Sequence, residues 1–140
     1  MPLITEMLNS LNTARTAEGL TPLRLNDKLT VAAQQHADFM REKQLLSHMG
    51  KNRSSFDQRI LDTGYRFRTA AENIALGALD PEGVVELWMR SPPHRANVLN
   101  TDVIDAGIGI SPVEGSETTG RPLPRRYWSL SLAAPEITVR

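Results

Sequence analysis

The chain has 140 residues, no cysteine, and 16 basic residues against 16 acidic ones, for a formal net charge of zero. That length reads as one domain, able to bury roughly 68–70% of the surface it exposes when unfolded. The absence of cysteine excludes disulfides and thiolate metal ligands, and the balanced charge removes any electrostatic reason to expect nucleic acid or an anionic membrane as partner. No run reaches the ~18 apolar residues of a membrane span. The opening stretch from Met1 to Leu8 has neither the basic region nor the unbroken apolar run of a signal peptide.

In chain order, Leu3 to Thr16 reads as an amphipathic helix, because Ile4, Met7, Leu8 and Leu11 recur at i, i+3, i+4 and i+7. Glu18-Gly19 is its stop, and Pro22 to Leu25 is an extended connector. Asn26 suits the N-cap of a second helix over Asp27 to Lys43. Leu29, Ala33, His36, Ala37 and Met40 form its inner stripe, so His36 reads as a hydrogen-bonded core histidine before it reads as a ligand. The chain then leaves the helix through Leu45 to Gly50, carrying His48. Ser55 with Gln58 has capping-box spacing for a short third helix that ends near Asp62 and stops at Gly64.

Tyr65 to Thr69 is weakly extended, and Ala71 to Leu76 is a strand holding Glu72 and Asn73 in an otherwise apolar run. Asp80-Pro81 is an N-cap followed by proline at the first helical position. Val84, Val85 and Trp88 give that helix one apolar face up to Arg90, where Pro92 and Pro93 break it. Glu86 points off that face and reads as solvated. Ile104 to Ser111 and Tyr127 to Ala134 alternate as strands, with a polar Gly-, Thr- and Pro-rich loop over Glu114 to Arg125 between them. Helices first and strands later argue for an α+β fold with an antiparallel sheet.

The candidate chemistry gathers on a few residues. Ser91-Pro92-Pro93-His94 reads as an N-cap with prolines at N1 and N2, so the His94 amide is the natural donor to the Ser91 hydroxyl. That reading makes Ser91 a cap rather than a nucleophile. It also puts His94 in a first helical turn, where an imidazolium is disfavoured and a neutral imidazole can act as ligand or base. A carboxylate at Glu72 costs several kcal/mol to bury unless paired. It is either one half of a structural pair, with Arg95 for instance, or part of a polar site shared with His48 and His94. Two histidines and a glutamate are zinc ligand types, although their separations match no tight motif such as HExxH.

Taken together the motifs resemble the CAP superfamily, also called SCP-like or pathogenesis-related-1-like, in its bacterial cysteine-free branch. The resemblance rests on Leu11-Asn12-x-x-Arg15, Ala32-Ala33-x-x-His36-Ala37, Leu46-Ser47-His48 and Ala71-Glu72-Asn73-Ile74-Ala75. It continues through Trp88-Met89-Arg90-Ser91-Pro92-Pro93-His94-Arg95-x-Asn97-Val98-Leu99, Ala106-Gly107-Ile108-Gly109 and the Tyr127-Trp128 strand, in the family's order over residues 9 to 134. It implies an α-β-α sandwich, with a small antiparallel sheet between helical layers, in a single domain over residues 1–140. It also implies a central cleft of two histidines and two glutamates. His48, Glu72 and His94 match three of them; Ser91 stands where the second glutamate would fall, which puts two-carboxylate chemistry and metal affinity in question.

Family members are mostly exported; some bind divalent metal through the paired histidines, others bind sterols or fatty acids, and a few have been proposed to be proteases. The resemblance therefore implies a secreted or periplasmic, monomeric module, with an export signal expected ahead of Met1. His48, Glu72, Asn73, Ser91 and His94 would line a cleft for a small molecule or a divalent ion such as zinc, with His48 and His94 as the metal ligands. Two other readings remain: a hydrolase using His48, Glu72 and His94, with or without metal, and a structural cell-envelope domain whose cleft is vestigial. The absence of a Gly-x-Ser-x-Gly elbow counts against a Ser91-His94-Glu72 triad.

Overall fold

The computed structural model describes residues 2–113 and 124–137. In chain order its elements are α1 (Leu3–Ala17), β1 (Arg24–Leu25), α2 (Asp27–Lys43), α3 (Phe56–Asp62), β2 (Phe67–Gly77), α4 (Pro81–Met89), α5 (Pro92–Val98), β3 (Asp105–Pro112) and β4 (Arg126–Pro135). A single 3-10 turn, Lys51–Arg53, precedes α3. The strands lie in the order β1-β3-β4-β2. β4 pairs antiparallel with both β2 and β3, while the two-residue β1 adds to β3 in parallel. The connector expected from Pro22 to Leu25 thus supplies an edge strand at Arg24–Leu25, because Arg24 and Asn26 donate their amides to the carbonyls of Ile104 and Ala106 along the neighbouring strand. All but the last two residues of the loop expected over Glu114 to Arg125 lie outside the described residues.

Strand alternation decides which helices go where. Trp128, Leu130 and Leu132 of β4 share one face with Ala106 and Ile108 of β3, and pack on Met7 and Leu11 of α1 and Val84, Val85 and Trp88 of α4. The opposite face carries Ala133 against Leu29 and Ala32 of α2 and Ile60 of α3, and Ile74 and Tyr127 against Met40. Helices thus cover both faces, and the fold is an α-β-α sandwich. Double cover also explains why Ser129 and Ser131, on the polar half of the β4 alternation, are buried.

Two glycines set how closely α2 lies on the sheet. A Cβ at Gly107 would stand 2.0 Å from the Leu29 carbonyl carbon, and one at Gly109 would stand 2.3 Å from the Ala33 oxygen. Any side chain there would lift the helix off β3. On the other face, the Leu11-Asn12-x-x-Arg15 motif pins α1 to two loops. Asn12 exchanges two hydrogen bonds with the Leu23 backbone. The buried Arg15 guanidinium donates to the carbonyls of Thr21, Val98 and Asn100 at 2.8 to 3.0 Å. Burial pulls the Arg15 pKa down from its ordinary value.

The helix caps divide. Asn26 accepts from the Leu29 amide and Asp80 from the Gly83 amide, as their positions lead one to expect. Ser55 and Ser91 occupy the N-cap positions of α3 and α5 but make no side-chain cap bond. At Ser55 the hydroxyl serves Asp57, whose pKa it lowers, and Gln58 bonds Asp62 instead of closing a capping box. At Ser91 the turn closes through the backbone, with the Arg95 amide donating to the Ser91 carbonyl at 2.8 Å. Prolines at N1 and N2 preset that turn by fixing φ, so the cap is dispensable.

Trp88 anchors α4. It is fully buried in the larger core, and its indole N–H donates to the Ile74 carbonyl at 3.0 Å. Trp88→Ala should lower the unfolding free energy by ~3–5 kcal/mol, the range for deleting a large aromatic side chain from a core. Urea denaturation measures it, and a loss under about 1 kcal/mol would mean the side chain contributes no more than a surface residue.

Candidate functional site

Glu72 sits in the middle of β2, paired in register with Ser131 of β4. The alternation of β2 turns its carboxylate toward the α2/α3 side and the neighbouring Asn73 side chain toward the other. The Glu72 side chain is 1% exposed, so its charge must be met inside the protein. Two groups meet it. Arg59 Nη2 of α3 lies 2.5 Å from Oε1, and His48 Nδ1 lies 2.8 Å from Oε2. The partner considered from sequence, Arg95, lies elsewhere: it pairs with Glu18 on the surface at 3.2 Å.

His48 rides on the loop between α2 and the 3-10 turn, and its side chain is 56% exposed. Buried groups hold that loop. His36 of α2 is 1% exposed and its Nε2 lies 2.6 Å from the Ser47 carbonyl oxygen. A carbonyl only accepts, so Nε2 carries the proton and the neutral ring leaves Nδ1 bare. Nδ1 is buried with no hydrogen-bond partner among the described residues. The core reading of His36 is thus what the geometry gives, with one addition: the residue ties the His48 loop to α2. Arg59 holds the far end of the same loop, donating from Nη1 to the Ser54 carbonyl at 2.9 Å.

The other expected site residues sit together on α5 and its contact with β2. Asn73 Nδ2 donates to the His94 carbonyl at 3.0 Å, and Asn97 Nδ2 donates to Asn73 Oδ1 at 2.8 Å and to the Glu72 carbonyl at 3.2 Å. Asn73 and Asn97 thus dock α5 on the strand that carries Glu72. His94 is half-buried, and its ring makes no hydrogen bond among the described residues. Ser91 is half-buried as well. The structure therefore joins His48 to Glu72 through side chains, and joins His94 to Asn73 through its backbone.

Arg59 is the member that sequence reading missed. Its signal was its place on α3, since Phe56, Arg59 and Ile60 fall at i, i+3 and i+4 and so share the face that packs inward. A cleft of about 740 Å³ also opens between α2 and α3, lined in part by His36, Phe39, Lys51 and Arg59 but not by His48, Glu72 or His94.

A sequence profile of the cysteine-rich secretory protein family, CAP, matches residues 8–130. The chain belongs to the CAP family. Two Bacillus subtilis proteins are similar to it in sequence. The protein YkwD is 35% identical over 98 residues, which is 70% of this chain and 38% of that protein. The membrane protein YlbC is 31% identical over 105 residues, 75% of this chain and 30% of that protein. This CAP chain thus spans about a third of the length of each relative. Among solved structures, an outer surface protein of Borrelia burgdorferi matches with a TM-score of 0.80 at 20% identity, covering 96% of this chain and 93% of that one. An extracellular SCP-domain protein of Bacillus anthracis matches with a TM-score of 0.78 at 21% identity, covering 92% of this chain and 39% of that one. At those identities the structures establish the fold alone. No helix among the described residues is long and apolar enough to cross a membrane.

His36 gives the site a pH signature. Burial holds its pKa below the ordinary imidazole value; the nearby Glu72 charge opposes that shift, and the Arg59 and His48 charges reinforce it. The folded protein therefore binds fewer protons at His36 than the unfolded chain does. The stability due to neutral His36 is complete above the ordinary pKa of about 6.5 and is lost progressively as pH falls below it toward the folded value. His36→Gln keeps a donor for Ser47 but cannot titrate. Its unfolding free energy, measured in urea, should fall less than that of the wild type between pH ~7 and ~5. Parallel profiles would remove His36 from the pH response.

Proposed function

We propose that this CAP domain is an extracytoplasmic binding module whose His48–Glu72 site, with His94 beside it, takes a divalent cation or a small ligand. The observation that supports this most is the 2.8 Å contact between an exposed imidazole and a buried carboxylate. Glu72 accepts from Nδ1, which leaves Nε2 of a half-exposed ring as a free electron pair, the form in which histidine binds metal or accepts a proton. The extracellular SCP-domain protein and the outer surface protein with the same fold support a placement outside the cytoplasm.

Binding is favoured over turnover for a reason of geometry. A Ser91-His94-Glu72 triad needs Glu72 to orient His94, whereas both Glu72 oxygens are engaged by Arg59 and His48. The donors present suit a weak cation site and not a tight one. Among the described residues no three His, Cys, Asp or Glu side chains come together as a ligand set. Zinc would thus depend on the rings of His48 and His94 with water completing its shell.

A thermal-shift titration with zinc tests the reading. At pH 7.5, zinc at about 100 times its dissociation constant should add ~2.7 kcal/mol if it binds only the folded state. Protons compete for the imidazole electron pairs, so the gain should shrink on acidification. His48→Ala and His94→Ala should each abolish it. An unchanged wild-type melting temperature, or an equal rise in either variant, would rule out a histidine-held cation site.

A further inference from the structure

The guanidinium of Arg59 touches both the carboxylate that His48 meets and the end of the loop that carries His48. It is 9% exposed and wedged between two segments. On one side Nη1 donates to the Ser54 carbonyl at 2.9 Å and approaches the Ser54 hydroxyl at 3.4 Å. On the other, Nη2 donates to Glu72 Oε1 at 2.5 Å. A Cβ at Gly50 would stand only 2.7 Å from Nη1, 2.9 Å from the Ser54 hydroxyl and 3.0 Å from His36 Nδ1, so the loop backbone is pressed onto this group. Gly50 and Ser54 belong to the segment that carries His48, and the Gly50 amide donates to the Ser54 carbonyl at 2.9 Å. One planar fork therefore holds both the end of the His48 loop and the carboxylate His48 meets.

That arrangement has a consequence for the ring. With Oε1 taken by Arg59, Oε2 is the oxygen turned to His48 Nδ1 at 2.8 Å. A carboxylate paired to an arginine can only accept, because the guanidinium stays charged at any ordinary pH. The proton on the neutral ring must then sit on Nδ1, although free neutral histidine favours Nε2. We infer that Arg59 is a positioning residue that, by clamping Glu72 and the Ser54 end of the loop, selects the Nδ1–H tautomer of His48 and presents its Nε2 electron pair to solvent. The inference rests on His48 being the ligand-binding group of the site. It narrows the ligand: a group arriving at that nitrogen must accept an electron pair, as a divalent cation does, or donate a hydrogen bond. A bare anion meets a lone pair with a carboxylate behind it.

Lysine is not an equivalent of Arg59 here. An ammonium is a compact point charge, and it lacks the planar fork that reaches Ser54 and Glu72 together. Arg59→Lys keeps a cation beside Glu72, so it is the variant to compare with Arg59→Gln, which leaves the buried carboxylate without its counter-charge.

The ring tautomer is read from the nitrogen-15 shifts of His48 in uniformly labelled protein at pH 8, assigned by the loss of signals in His48→Ala. In the wild type Nδ1 should resonate as a protonated nitrogen and Nε2 as a bare one. In Arg59→Gln the two signals should converge or exchange, and in Arg59→Lys they should move part of the way. A wild type with the proton on Nε2 overturns the inference without reference to any variant, so it stays open to refutation even if Arg59→Gln does not fold. A folded Arg59→Gln or Arg59→Lys with the wild-type pattern overturns it too. Zinc added to the wild type separates the two layers. Movement of the Nε2 signal with Nδ1 still protonated supports both. Movement of neither signal removes the cation reading of the site, while the tautomer comparison still decides the role of Arg59.

Discussion

The contact on which the molecule depends is that of α2 with β3. Gly107 and Gly109 bring the helix backbone onto the strand backbone, closer than any side chain would permit. With the helix at that distance, its inner stripe of Leu29, Ala33, Ala37 and Met40 is fully buried, and so is His36 on the same stripe. A buried imidazole at that position needs an acceptor, and the chain provides one in Ser47 as it leaves the helix. The placement of the His48 loop thus depends on the close packing of α2 on the two glycines of β3.

A second constraint meets the first at Glu72. A carboxylate in the middle of a doubly covered strand must be paired, and the α2/α3 layer offers Arg59 from below and His48 from the rim. The pair is lopsided: Arg59 is nearly as buried as Glu72, while more than half of the His48 side chain reaches solvent. Chemistry is therefore available at His48, and rigidity comes from Arg59. The polar contacts on the other side, from Asn73 and Asn97, serve a different end, since they spend their donors on the backbone of α5 and β2. Together they bring a helix bearing His94 to the strand bearing Glu72 without joining the two side chains.

Buried arginine recurs as a fastener. Arg15 binds the backbone carbonyls of Thr21, Val98, Asn100 and Val103 with no carboxylate partner among the described residues, an arrangement a guanidinium tolerates because its five donors can be satisfied by neutral acceptors. Arg59 combines one carbonyl with one carboxylate. In both the guanidinium ties its own helix to other segments of the chain.

The sequence by itself determined what local physics encodes. The 3.6-residue stripes of α1, α2 and α4, the caps at Asn26 and Asp80, the proline break after Arg90 and the two-residue alternation of β3 and β4 depend on neighbours within a turn or two, and each stands close to where its pattern put it. The order of the motifs was enough to indicate the family and the sandwich. The tertiary structure alone decided which partner each polar group takes. Arg59 rather than Arg95 meets Glu72, because pairing across 13 residues depends on how α3 lies under β2. Ser55 and Ser91 hold cap positions without capping, because a neighbouring carboxylate or a preset proline turn makes the bond unnecessary. The end of the Pro22 to Leu25 connector, Arg24–Leu25, becomes a strand edge only because β3 is there to pair with it. Periodicity states which side of an element faces inward; only assembly of the layers states what it meets there.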